Sequence, residues 1–306
     1  MLPAILPTMG GDPVGRGLEK QALRAVFERA RVESAGVVLY GEAGIGKTTL
    51  CRATATMAGE DGFAVLTTTG SAAEMSMAWA GLADLLAGID ESVIAGLSPL
   101  HQQALRAVGT GLDAPGGDER LVAAAFRAAL DGQSRQRPVA VIVDDAQWLD
   151  EPSKLVVAFA VRRLPSRLAV VIAFRGGESG GEDPPWVRMA DPQALSRMTL
   201  GPMSREELRT MIDARLGHIP EAATMTRIHS LSGGHPLYAL ELARAAGEHP
   251  GRDLGEVPPS LAGLVRERIG AVDERTKQAL VVAAAAIEPT VEVVAAAVGC
   301  GSDELV

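Results

Sequence analysis

The chain has 306 residues, of which 47% are hydrophobic, 22% charged and only 3% aromatic, with 29 Lys and Arg against 38 Asp and Glu. That length leaves room for one large domain or two to three small ones with sizeable cores, built here mainly from Ala, Val, Leu and Ile. The net charge of -9 argues against a chain that binds nucleic acid along its whole length, because phosphate contacts need clustered Lys and Arg.

Residues 1–11 are apolar, but Pro3 and Pro7 interrupt them and no basic residue precedes them, so they do not read as a secretory leader. Residues 18–31 carry apolar side chains at helical spacing and predict an amphipathic helix. A short apolar run at 36–40 leads into a glycine-rich loop and then a helix-permissive stretch at 47–57, and a second strand is predicted at 63–68. Helices follow at 78–86, 98–108 and 118–130, with turn-rich residues 111–117 separating the last two. In the middle helix Ser98 is a plausible N-cap and Pro99 suits the first helical position. Residues 138–143 are apolar throughout, as in a buried parallel strand. A helix at 152–163 and another apolar strand at 168–174 complete an alternation that predicts a parallel three-layer α/β/α sheet.

Beyond that point the composition shifts. Residues 176–185 form a glycine-rich, acidic loop, and a last short strand is predicted at 196–200. Ser204-x-x-Glu207 is a capping box opening a helix to about Leu216. Helices at 222–231 and 237–246 flank a tight break at 232–236, a linker is read at 249–259, and Ser260 caps a helix at 261–269. Helices at 274–287 and 291–298 come last. The longest apolar run, 279–287, is too short to span a bilayer. Cys51 and Cys300 are the only cysteines, which predicts a reducing compartment with no disulfide framework and no cysteine-based zinc site. A cytoplasmic location is therefore expected.

Gly41-Glu42-Ala43-Gly44-Ile45-Gly46-Lys47-Thr48 matches G-x-x-x-x-G-K-S/T in full, between a strand and a helix. Glycines let the backbone wrap phosphate groups with successive N–H groups pointing inward, and the helix that follows adds its positive end. The pattern implies a nucleoside triphosphate, most simply ATP with Mg²⁺. Lys47 would reach the β- and γ-phosphates, Thr48 would ligate the metal, and Thr49 continues the cradle into the helix. The strand at 138–143 ends in Asp144 and Asp145. At such a strand end Asp144 would hold Mg²⁺ and Asp145 could polarise the attacking water. Asp145 is shorter than the glutamate usual in vigorous ATPases, which points to slow hydrolysis. Arg175 ends the next apolar strand, where it could sense a γ-phosphate or stand solvated.

The order Val14-Gly15-Arg16-Gly17-Leu18-Glu19, the phosphate loop, Val143-Asp144-Asp145-Ala146-Gln147-Trp148-Leu149-Asp150, Arg175 and Leu231-Ser232-Gly233-Gly234-His235-Pro236-Leu237-Tyr238 resembles the STAND class of P-loop ATPases. More narrowly, it resembles the N-terminal regulatory ATPase part of large ATP-binding LuxR-like transcriptional regulators, from about Gly11 onward. The resemblance implies an AAA/STAND-type P-loop domain at 1–200, a helical lid at 201–250 and a partial winged-helix module at 251–306. It also implies that Val14 and Arg16 pack on adenine and fix the N-terminal segment, and that His235 and Pro236 in the lid contact the nucleotide and report ADP against ATP. Trp148 reads as a packing residue beside the acidic pair.

After Lys277 the chain has no Lys or Arg, so the C-terminal module is expected to be structural and not to read DNA directly. The family pattern would continue past Val306, so a downstream sensor and a basic DNA-binding domain are expected in a longer protein. Two enzyme classes compete: a nucleotide switch with slow ATP hydrolysis that controls conformation and self-association, and an AAA-type ATPase with brisk turnover that remodels or loads a protein partner. A GTPase would ordinarily need an Asn-Lys-x-Asp guanine reader, and this chain has no asparagine. A small-molecule kinase would need an acceptor site that the sequence does not display.

Overall fold

The computed structural model describes residues 14–110, 119–163, 167–176, 187, 189, 191–248, 274–285 and 290–299. Predicted features at 111–117, 249–259, 261–269 and 300–306, and nearly all of the acidic loop at 176–185, lie outside these residues. The described residues divide into two compact units, one within Met1–Ile219 and Gly233–Leu237, the other within Pro220–Ser232 and Tyr238–Val306.

The first unit is built on five parallel strands: β1 (Ser34–Gly41), β2 (Ala64–Thr69), β3 (Val139–Asp144), β4 (Leu168–Arg175) and β5 (Leu195–Thr199). Their order across the sheet is β2-β3-β4-β1-β5. The three inner strands are buried almost end to end, whereas the two edge strands expose part of each run. That is why the inner strands read as unbroken apolar runs: each face is covered by helices.

Side chains alternate between two cores. Val38, Val141, Val143, Val170 and Ile172 face one side, with α3 (Ala80–Ala87), α5 (Pro99–Thr110), α6 (Glu119–Gln136) and α7 (Glu151–Val161) supplying that layer. Val37, Leu39, Ala140, Ile142, Ala169 and Val171 face the other, against α1 (Gly17–Ala30) and α2 (Lys47–Glu60). Each fully buried Val, Leu or Ile contributes about 1.5–3 kcal/mol of transfer free energy, so the two cores fix the strand register and align the carboxyl ends of β1, β3 and β4 along one edge. The three-layer parallel α/β/α architecture is thus present.

Boundaries differ from the sequence reading in small ways. The five-residue helix α4 (Glu91–Ala95) was not predicted, being too short to show a period. Helix α6 runs on to Gln136. The last strand is one residue earlier than predicted, because the N–H of Leu200 turns to the Tyr40 carbonyl at 2.8 Å and its side chain enters the core. The capping box at Ser204 and Glu207 is formed and opens α8 (Arg205–Leu216), and Ser98 Oγ accepts the His101 N–H at the start of α5.

The second unit contains α9 (Ala222–Ser232), most of α10 (Pro236–Glu248), α11 (Glu274–Ala285) and α12 (Val291–Val298), of which α11 and α12 pack together. Thr290 caps α12 by accepting the Val293 N–H, and Gly299 ends it at φ +74°. Among the described residues no helix is long and apolar enough to cross a membrane.

Candidate nucleotide site

The end of β1 passes into a loop whose backbone only glycine adopts easily. Gly44 has φ +80° and Gly46 φ +108°, conformations that cost other residues roughly 1–2 kcal/mol. Buried Ile45 pins the loop from behind, packed on Gly41, and Gly46 is the N-cap of α2. The loop therefore presents the free N–H groups of a helix start toward a polar cavity of about 260 Å³. Ala43, Gly44, Gly46, Lys47, Thr48 and Thr49 line one side of it, and Asp145, Trp148 and Arg175 the other. Its volume falls below the roughly 300–1,000 Å³ of pockets that hold whole ligands, so it suits phosphate groups more than an entire nucleotide.

Lys47 is buried, and its Nζ donates to the carbonyls of Gly41 (2.8 Å) and Glu42 (2.9 Å), while the Glu42 side chain is exposed. Burial lowers its pKa, opposed by the carboxylates of Asp145 and Asp144. Asp144, the last residue of β3, is also buried. Burial raises its pKa and the Asp145 carboxylate adds to that, while the hydroxyl of Thr48 and the Asp145 N–H donate to it and work the other way. Thr48 and Asp144 are thus already paired. Two oxygen ligands, one of them ionisable, suit a hard cation such as Mg²⁺, which keeps several waters of its own. The glycine loop and the Lys47 ammonium beside it fit a phosphate chain. Cys51, one turn into α2, is buried and its thiol pKa is pushed up, so it is an unreactive core residue.

Asp145 sits in the left-handed region at φ +45°, uncommon for any residue with a Cβ. Arg175 ends β4 in register with Gly41 and lines the cavity. Lys47, Thr48, Asp144, Asp145 and Arg175 are therefore brought together. The other sequence-predicted residues lie around the loop. Val14 is half-buried in the turn before α1. Arg16 is 5% exposed, and its guanidinium donates to the carbonyls of Ile45 (3.0 Å) and Gly201 (2.9 Å) and pairs with Glu19. It braces the phosphate loop through a backbone carbonyl. His235 is buried and its Nε2 lies 3.0 Å from the Ala43 carbonyl, so Nε2 carries the proton and donates. Pro236 is buried beside it.

Three further residues belong to the site's frame. Trp148, read from sequence as packing, lines the cavity. Buried Asp150 caps α7 by accepting the Ser153 N–H, and it also accepts the N–H groups of Trp79 and Gly81, which ties the start of α3 to the acidic turn. Gln147 joins Asp145 to Arg175. The Asp-x-x-Ser spacing could have revealed the cap; nothing local could have revealed the other two contacts.

Among solved structures, the ORC2 protein of Aeropyrum pernix in ADPNP–ADP complexes aligns with a TM-score of 0.51 at 16% identity, over 88% of this chain and 74% of that one. The Thermotoga maritima RuvB Holliday junction branch migration motor aligns at 0.45 and 16% identity, over 95% and 84%. AMPPCP-bound DnaA from Aquifex aeolicus aligns at 0.44 and 14%, over 88% and 69%. At such identities the ORC2 likeness is one of fold. No curated protein matches in sequence. Residues 12–172 match the AAA ATPase domain family, a span that takes in the phosphate loop and both acids, and the chain belongs to that family of ATP-binding P-loop proteins.

Proposed function

We propose that this ATPase domain works as a nucleotide-controlled switch, in which ATP and ADP select different conformations and slow hydrolysis resets the state. The observation that carries the reading is the turn at 233–237. His235 donates to the Ala43 carbonyl, and Leu237 and His235 lie so near Gly44 that an added Cβ would fall 2.8 and 3.0 Å from them. A ligand that reshapes this loop must therefore bias the turn, and differential contact is what any ligand-driven population shift requires.

In this reading Lys47 leaves the Gly41 and Glu42 carbonyls for the β- and γ-phosphates, and the N–H groups of residues 43–49 hold their oxygens. Thr48 and Asp144 would hold Mg²⁺, which would supply positive charge to offset that of the phosphates. Arg175 senses the γ-phosphate, and Val14 and Arg16 fix the segment beside the base. Asp145 orients a water. The water oxygen bonds to the γ-phosphorus, the bond to the bridging oxygen breaks with its electron pair going to ADP, and the water's proton leaves toward Asp145. The Asp145 carboxylate, on a shorter side chain than a glutamate, reaches less far toward the γ-phosphate, which favours low turnover. Residues 201–250 would act as the lid and 251–306 as a winged-helix-like module. Self-association or further domains of a longer LuxR-like regulator would be the output, with no direct DNA contact by this chain.

The test is to denature the purified protein, identify released nucleotide by chromatography, and titrate the emptied protein with ATP and ADP plus Mg²⁺. Co-purifying ADP, tight rebinding and turnover well below one per second are expected. Steady multiple turnovers per second would overturn the switch in favour of an enzyme that remodels or loads a partner.

A further inference from the structure

Between the ends of β3 and β4 lies a side chain that neither the phosphate loop nor the paired acids account for. Gln147, half-buried in the short 3-10 helix Ala146–Trp148, donates from Nε2 to Asp145 Oδ1 at 2.9 Å. Its Oε1 accepts the backbone N–H of Arg175 at 3.0 Å. Only one orientation of the amide satisfies both ends, since turning it over would set oxygen against a carboxylate and NH₂ against an N–H. The backbone beneath Asp145 is already held. The Trp148 N–H donates to the Asp145 carbonyl and the Gly70 N–H to that of Asp144, both at 2.9 Å. Gly70 comes so close that an added Cβ would lie 2.8 Å from Leu149 N and 2.9 Å from the Trp148 carbonyl carbon. With that backbone clamped, the remaining freedom of Asp145 is in its side chain, and Gln147 holds it.

We infer that Gln147 is a positioning residue that orients the Asp145 carboxylate and couples it to the strand end bearing Arg175. A hydrogen bond to an ionised acceptor is about twice as strong as a neutral one, so Oδ1 is the held oxygen and, in this reading, Oδ2 is the one left to meet the water. Any shift of the Arg175 backbone when a γ-phosphate is present or absent is passed through the amide to the acid. The inference rests on the hydrolytic role given above to Asp145. Gln147 is not among the residues lining the cavity, so it acts on orientation and not on affinity.

The experiment has two readouts. In nucleotide-free protein, amide hydrogen exchange at Arg175 is compared between wild type, Gln147→Ala and Gln147→Glu. With ATP and Mg²⁺, kcat and KM are measured for the same proteins, for Asp145→Asn and for the Asp145→Asn/Gln147→Ala pair. Gln147→Ala is expected to speed Arg175 exchange about five- to tenfold and to lower kcat about 10- to 100-fold with KM unchanged. Gln147→Glu keeps the acceptor for Arg175 but sets a like charge against Asp145, so Arg175 stays protected while kcat still falls. The double variant should be no slower than Asp145→Asn alone. Unchanged exchange or unchanged kcat in Gln147→Ala, a rise in KM alone, or losses that multiply in the double variant would overturn the inference. Asp145→Asn hydrolysing at the wild-type rate would overturn both this inference and the role of Asp145, whereas normal dependence on Asp145 with an indifferent Gln147 overturns this one alone. Should Gln147→Ala melt below the assay temperature, Gln147→Glu carries the kcat comparison, where an unchanged kcat would overturn the inference.

Discussion

Replacing Lys47 by alanine separates binding from folding. The ammonium gives two charge-assisted hydrogen bonds, to the carbonyls of Gly41 and Glu42. Removing it does not orphan either acceptor: Gly41 O still receives the Gly176 N–H at 3.2 Å, and Glu42 O the Ile45 N–H at 3.3 Å. The charge is also held at some cost, since burial lowers its pKa. These opposing effects leave a stability change within about 1 kcal/mol. Binding has no such compensation. A hydrogen bond between a charged donor and an anion contributes about 1.5–3 kcal/mol, which at about 1.4 kcal/mol per decade is a 10- to 150-fold loss of ATP affinity, with a smaller loss for ADP. Titration calorimetry and thermal melting on the same samples give both numbers. An ATP affinity within twofold of wild type would refute the reasoning.

The same residue sets an alkaline dependence. With its folded pKa below the ordinary 10.5, Lys47 loses its proton first in the folded protein. Between the two values the unfolded chain binds more protons, so this group makes stability rise with pH there. Bound phosphate would keep the proton on, so the thermal stabilisation conferred by ATP should be constant below the folded pKa and shrink as pH rises toward 10.5.

Asp144→Asn should trade function for stability. Because burial raises the Asp144 pKa above 3.8, its favourable contribution is present below that pH and lost as pH rises through the folded value, leaving a buried charge above it. Asparagine keeps an acceptor for the Asp145 N–H and Thr48, so the nucleotide-free variant is expected to melt about 2–4 °C higher while losing the Mg²⁺-dependent part of ATP binding; a lower melting temperature would contradict this. In Gly44→Ala, strain at φ +80° and the contact with Leu237 and His235 should cost at least about 1–2 kcal/mol and weaken nucleotide retention. Gly17→Ala, where an added Cβ meets nothing within 4 Å, is the control in the same melting assay. With Cys300 replaced by serine, Cys51 should react with a thiol reagent only as the protein unfolds, because its thiol is buried and its pKa raised; rapid labelling of the folded protein would refute that.

What the sequence made legible follows from the range of each contact. The phosphate loop is eight consecutive residues, so its chemistry can be read locally. The inner strands announce themselves because burial on both faces removes polar alternation. Arg175 was legible only as a strand end, because the strand order that sets β4 between β1 and β3, and so ends it between the phosphate loop and the acids, is seen only in the fold. The weak pattern of β5, Leu-Ser-Arg-Met-Thr, has both faces partly exposed and so misplaces its start by one residue. The missing part is of another kind. His235 meeting Ala43 across 192 residues and Gln147 meeting Arg175 across 28 depend on where separately folded segments come to rest, and Lys47 turning back on its own loop depends on that loop's closed shape. No period or spacing encodes them, because each joins a side chain to a backbone group, and backbone groups carry no residue identity for a pattern to detect. Sequence therefore identifies the charged groups gathered at this site but not the contacts that hold them, and in the proposed switch it is those contacts that would decide whether the Asp-Asp pair turns over quickly or holds its nucleotide.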